Sequence, residues 1–141
     1  MKTTRGFTLI ELLVAIAIIG ILASVVVGSV TRGRDRGADA AVQSDLDTIR
    51  TQAEIVFGDD SDYDAICGIN GATQDAKIAE AIAHASSTAG GPGVCGAPLA
   101  GPASAWAISS PLKTGGHWCV DSQGSSLATT SAIALTDTAC Q

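Results

Sequence analysis

The feature that most constrains this chain is an uncharged apolar run, LLVAIAIIGILASVVVGSV, over residues 12–30. From Phe7 to Val30, a helix rising about 1.5 Å per residue is long enough to cross a bilayer core of roughly 30 Å. One carboxylate, Glu11, stands at the start of that run. A charge held in lipid costs a few kcal/mol at the centre and less near the interface, so it needs a partner. Ahead of it, MKTTRG is short, polar and basic. Lys2 and Arg5 favour a cytoplasmic N-terminus, while Arg32, Arg34 and Arg36 beyond the span weaken that argument. A secretory signal of the ordinary kind fits poorly. It has no use for a carboxylate within its apolar stretch, and its small-residue cleavage site would have to be forced onto Ala23-Ser24.

Beyond the span the composition changes. The chain has 141 residues, enough for one modest domain, and only 4 % are aromatic, so a core must come mainly from Ala, Val, Ile and Leu. So small a core is marginal without reinforcement. Cys67, Cys95, Cys119 and Cys140 all follow the apolar run, and no C-x-x-C pair suggests a zinc ribbon. An even count in a small exported domain reads as two disulfides, with three pairings open. Cys67–Cys95 with Cys119–Cys140 is the expectation, because each closes a local loop worth roughly 3 kcal/mol. The formal charge of −6 argues against binding nucleic acid by phosphate neutralisation.

The run Arg5-Gly6-Phe7-Thr8-Leu9-Ile10-Glu11, followed directly by the apolar segment, resembles the class III signal of type IV prepilins and type II secretion pseudopilins. The resemblance implies a leader of residues 1–6, removed by a membrane prepilin peptidase that cuts between Gly6 and Phe7 and N-methylates Phe7. It implies that Glu11, fifth in the processed chain, neutralises the Phe7 amine of a neighbouring subunit during assembly. It further implies a homo-oligomeric helical filament, an inner-membrane assembly platform and a motor ATPase. The location implied is the bacterial cytoplasmic membrane for the precursor and an extracellular pilus afterwards. Filaments of the family often melt part of the membrane half of this helix. Here Gly20 and Gly28 are the candidate positions, without an accompanying proline; close helix packing is the other use for them.

The segment TRGRDRG over residues 31–37 reads as a basic contact for anionic headgroups, or for acidic neighbours in a filament. From Ala38, the residues Val42, Leu46, Ile49, Ala53 and Val56 recur at helical steps, with Asp39, Gln43, Asp47, Arg50 and Glu54 on the opposite face. The amphipathic half is expected over residues 31–57, ended by Gly58. The head, residues 58–141, is expected to open with an acidic loop to residue 74. Its Asp60, Asp62 and Asp64 begin like a calcium loop, but Ala65 and Gly71 occupy positions that need Gly and Glu. A second helix is expected over residues 75–85, capped by Thr73, with His84 as a charge near its C-terminal end. A Gly- and Pro-rich loop over residues 86–102 follows, then strands at residues 105–109, 117–121 and 132–135.

The fold expected is α+β: one long N-terminal helix, half membrane-spanning and half amphipathic, packed on a small antiparallel sheet in the manner of a type IV pilin. Trp106 and Trp118 are read as packing residues, and His117 as a strand surface residue. The Trp118-Cys119-Val120-Asp121-Ser122 run is also similar to a segment near the end of some bacterial pilins. No G-x-S-x-G, P-loop or H-E-x-x-H occurs, and no cofactor or metal is expected. The resulting expectation is a structural subunit, not an enzyme: the main pilin of a type IV pilus serving adhesion, twitching motility or DNA uptake. A minor pilin or pseudopilin of a secretion or competence system is the alternative.

Overall fold

The computed structural model describes residues 6–98 and 100–141. Residues 1–5, with Lys2, Arg5 and most of the expected leader, lie outside the described residues. The chain divides into two units, Met1–Arg34 and Asp35–Gln141.

Helix α1 runs over Leu9–Asp60. In the first unit its apolar side chains are not buried by the described residues: every Leu, Ile and Val from Leu9 to Val30 is at least 52 % exposed. The few hydroxyls there turn inward on the backbone. Ser24 donates to the Ile21 carbonyl, Ser29 to Val25 and Thr31 to Val27. The helix itself thus satisfies these hydroxyl donors, and Glu11 is left as the one charge of an otherwise apolar segment, as suits a bilayer.

In the second unit α1 buries Asp39, Val42, Leu46, Ile49, Ala53 and Val56, a set repeating every three or four residues. The apolar members of that stripe form one core with Tyr63, Ile66, Ile78, Ala85, Trp106, Ile108 and Val120. Two expectations are corrected here. Asp39 is 7 % exposed, not on the solvent face, because its carboxylate accepts hydrogen bonds from the Lys113 and Thr114 amides and the Thr114 hydroxyl. The helix also passes through Gly58 to Asp60. One glycine in the last turn costs only about 1 kcal/mol, and the left-handed residue that stops the helix is Ser61, at φ 62°.

The acidic loop contains a short helix, α2, Asp64–Cys67. Helix α3, Ala76–Ala89, is one turn longer than expected and is capped by Asp75, whose side chain accepts from Lys77 N and Ile78 N. Thr73 is not the cap. Gly90, at φ 80°, closes the other end with its amide on the Ser86 carbonyl.

The sheet has four strands where three were expected: β1 Val94–Gly96, β2 Ala107–Pro111, β3 His117–Asp121 and β4 Ser126–Thr129, in that order and antiparallel throughout. Strand β1 lies in the stretch read as a Gly- and Pro-rich loop. Strand β4 replaces the strand expected at residues 132–135. Asp121 makes the difference, since its carboxylate accepts from the Gln123 and Ser125 amides and folds residues 121–125 into a tight turn. The chain can then re-enter the sheet at once. Residues 132–135 instead cross beside β1 and β2, held by Ala97 N to the Leu135 carbonyl and Ile133 N to Ser109 Oγ. That crossing needs Gly96: a Cβ there would strike the Asp137 carbonyl oxygen and lie 2.7 Å from that of Ala134.

Two disulfides tie the head. Cys67–Cys95 joins α2 to β1, and Cys119–Cys140 joins β3 to the C-terminal segment. Loops of 28 and 21 residues give each roughly 3.5 kcal/mol by restricting the unfolded chain.

Asp39 anchors the β2–β3 turn to α1. Asp39→Ala should strand two backbone donors and lower unfolding stability by about 3 kcal/mol. Urea unfolding of the full chain in detergent, followed by tryptophan fluorescence, reads this directly; an unchanged midpoint would remove Asp39 from the account.

Candidate functional site

Residues 6–8 form no regular element, and α1 begins at Leu9. Among the described residues nothing lies within 4 Å of where a Gly6 Cβ would stand, and Phe7 is 92 % exposed, so no described residue packs over the Gly6–Phe7 peptide bond just ahead of the helix. Glu11 sits in the first turn. Its Oε2 accepts from Thr8 N at 2.9 Å and from Thr8 Oγ1 at 2.8 Å, while Glu11 N donates to Thr8 Oγ1 at 3.3 Å. This reciprocal pair is a capping box, in which a Thr and a Glu three residues later satisfy each other's backbone donors at a helix start. A carboxylate also suits the positive end of the helix dipole. The box is readable in Thr8-Leu9-Ile10-Glu11, and it gives Glu11 a partner within its own chain as well as the one expected on another.

Around the carboxylate, Ile10, Val14, Ala15 and Ile18 line an open groove of about 380 Å³. Glu11 is the only charged residue between Gly6 and Thr31. The site thus pairs one carboxylate with a wholly apolar helix face. Its acceptor is shared between Thr8 N and Thr8 Oγ1, and the Phe7 nitrogen in this chain is a peptide nitrogen that the carboxylate does not touch. Gly20 and Gly28 lie farther along the helix, which is unbroken through both, with nothing within 4 Å of where a Cβ would stand.

The other singled-out residues serve the head. Asp62 accepts from Asp64 N, and Asp64 accepts from Ala103 N at 2.7 Å and Asn70 Nδ2 at 3.0 Å. Those carboxylates shape the loop, and among the described residues no three His, Cys, Asp or Glu side chains are grouped to hold a metal. Trp106 is fully buried, and Trp118 packs half-buried against the same core. His117 is half-buried in β3, opposite Thr129.

His84 corrects its expected role. It lies within α3, not near its end, and its Nδ1 is 2.7 Å from Asp45 Oδ2 on α1. The Asp45 hydrogen bond and charge, with Glu80 adding to them, raise the His84 pKa above its ordinary value. Asp121, within the Trp118–Ser122 run, is a buried anchor of the fold, a role the run itself does not specify. Burial pulls its carboxyl upward, but the amides of Cys140, Ser125 and Gln123 and the Ser125 hydroxyl outweigh that and hold it below the usual carboxylate range.

The N-terminal region also has counterparts in other proteins. The family described as the prokaryotic N-terminal methylation motif matches residues 1–27. The type IV wide pilus major component PilA4 of Thermus thermophilus is 40 % identical over 63 residues, covering 45 % of this chain and 48 % of that protein. The type II secretion system core protein G of Klebsiella michiganensis is 37 % identical over 62 residues, covering 44 % of each. The chain therefore spans less than half the length of either relative. No solved structure matches it significantly.

Two outcomes follow from these side chains. Because the folded pKa of His84 is raised, its pairing with Asp45 stabilises the head fully below pH ~6.5, the free histidine value, and is lost as pH rises through the raised value. The thermal midpoint should fall over that interval in the parent chain, and His84→Ala should flatten the fall; parallel pH profiles would contradict it. Thr8→Ala should loosen the first turn of α1 by about 1 kcal/mol. In detergent micelles this should appear as faster amide exchange confined to residues 9–12, and unchanged exchange would deny the capping box.

Proposed function

We propose, from the match of residues 1–27 to the prokaryotic N-terminal methylation motif and the partial likeness to a type IV pilus component and a type II secretion core protein, that this chain is a main pilin, the repeated structural subunit of a type IV pilus. Members of the type IV pilin and pseudopilin family are structural subunits, not enzymes. The observation that carries the reading is the wholly exposed apolar face of residues 9–30 with Glu11 as its single charge. A surface of this kind is stable in lipid or against other copies, and in water it aggregates.

In this reading a prepilin peptidase cuts between Gly6 and Phe7 and methylates the Phe7 amine. The open, non-helical stretch ahead of Leu9 gives such an enzyme an unencumbered peptide bond. The span then holds the processed subunit in the cytoplasmic membrane. An assembly platform and motor ATPase move it into an extracellular filament of identical copies, for adhesion, motility or DNA uptake. During assembly Glu11 exchanges its Thr8 donors for the amine of a neighbour's Phe7, a charged donor that makes a stronger hydrogen bond. Gly20 and Gly28 are the places where the span gives way if it unwinds. The 12 Asp and Glu against 3 Lys and Arg over residues 37–141 argue against direct DNA binding by the head.

The type II secretion relative favours a second reading, a pseudopilin or minor pilin of a short fibre. Glu11→Ala, with cleavage verified, tests the shared part of both readings. Sheared filaments should fall at least tenfold while membrane-held processed chain accumulates. Normal filament yield would remove Glu11 from assembly. If the parent chain is scarce in sheared filaments and stays with the membrane, the pseudopilin or minor-pilin reading replaces the main-pilin one.

A further inference from the structure

The N-terminal site leaves a second charge pattern unused. Arg32, Arg34 and Arg36 directly follow the apolar span, and all three are exposed. Among the described residues the ion pairs are Arg50–Asp47 and His84–Asp45, so none of these arginines has a carboxylate partner. With the head exported they stand on the translocated side of the membrane, where cations oppose the orientation that Lys2 and Arg5 favour. Topology alone gives no reason to place them there.

The other end of α1 carries the opposite imbalance. Asp59 and Asp60 occupy its last turn, exposed, and no basic residue lies in that turn. Neither carboxylate has a hydrogen bond or ion pair among the described residues. Carboxylates at the negative end of a helix dipole are unfavourable, and a cation there is stabilising. Asp62, two residues on, adds to the field.

We propose that Arg32 and Arg36, one turn apart on a single face of α1, dock on the Asp59–Asp60 end of α1 in a second copy of this chain, an inference that rests on the filament reading above. Copies leaving one membrane share one orientation, so their helices run parallel. Within the second unit Arg36 and Asp59 are 23 residues apart along one helix, about 35 Å at ~1.5 Å per residue. A parallel copy shifted by that distance sets the two faces side by side. Phe7 and Glu11 are only four residues apart, which corresponds to a shift of about 6 Å. The neighbour that meets the arginines is therefore a different one from the neighbour that meets Glu11. Anionic lipid is the competing occupant of the arginines. It leaves the helix C-terminus uncompensated, whereas a second copy satisfies both ends in one contact.

The test uses full-length chain expressed in cells that assemble it. Arg32→Glu and Arg36→Glu together should cut sheared filaments at least tenfold, with Gly6–Phe7 cleavage and membrane content unchanged, while Arg34→Glu, on the opposite face, should not. Adding Asp59→Lys and Asp60→Lys to the double variant should restore them. Independently of folding, filaments carrying Arg36→Lys and treated with a carbodiimide should yield an intermolecular amide between position 36 and Asp59 or Asp60. Parental filament yield from the double variant would overturn the proposal. Loss that the acidic reversals do not rescue, with no such amide, would also overturn it and assign the arginines to lipid. An absence of filaments from the parent chain would remove the filament reading itself, and this contact with it.

Discussion

Fourteen Leu, Ile and Val side chains between Leu9 and Val30 find no burial among the described residues, and any use of this chain must supply what covers them. At ~1.5 kcal/mol for each side chain removed from water, roughly 20 kcal/mol awaits whatever covers this face. That exceeds the net stability of a typical domain, about 5–15 kcal/mol. In the proposed reading, lipid and then other copies cover the segment and stabilise it more than any contact within the described chain does. Glu11 works inside this constraint. Its carboxylate costs least when paired, and Thr8 supplies two donors within one turn. The same carboxylate remains near an open apolar groove, available to a better donor.

The head solves a different problem, that of holding shape with few aromatic residues. Its core is Ala, Val, Leu46 and Ile with the aromatic rings of Tyr63 and Trp106, closed by two disulfides. Much of its acidity is structural. Asp39, Asp64, Asp75 and Asp121 each accept from backbone amides of a loop, a helix start or the C-terminal segment. These carboxylates replace packing volume with hydrogen bonds to otherwise unpaired donors, which are worth more when the acceptor is charged. The cost appears in acid: Asp121 has a depressed folded pKa, so its share of stability is present above the unfolded carboxylate range and lost as pH falls through the folded value.

Periodicity explains what the sequence made legible. Val42, Leu46, Ile49, Ala53 and Val56 repeat at helical steps over a long segment, and helices of that length leave an unmistakable pattern. The resemblance to a class III signal is legible because it is carried by a contiguous string. Asp39 is not legible as a buried residue, because its neighbours fit a polar face and only the distant amides of Lys113 and Thr114 turn it inward. Strand β1 is hidden because three residues, Val94–Gly96, carry no alternation of their own and exist only by pairing with β2. Strand β4 differs from its expected place because Ser126, Leu127 and Ala128 are all exposed, so no apolar alternation announces them. The Thr8–Glu11 box is written in the sequence, but the same string carries the class III resemblance, whose implied role for Glu11 is intermolecular.

The measurement that bears most directly on this account is intact-mass spectrometry of filaments sheared from cells, without reduction. The account predicts a dominant species beginning at N-methylated Phe7, lighter than the fully reduced chain by the four hydrogens lost in forming two disulfides. A chain still carrying Gly6 at that junction, or absent from filaments altogether, would contradict it.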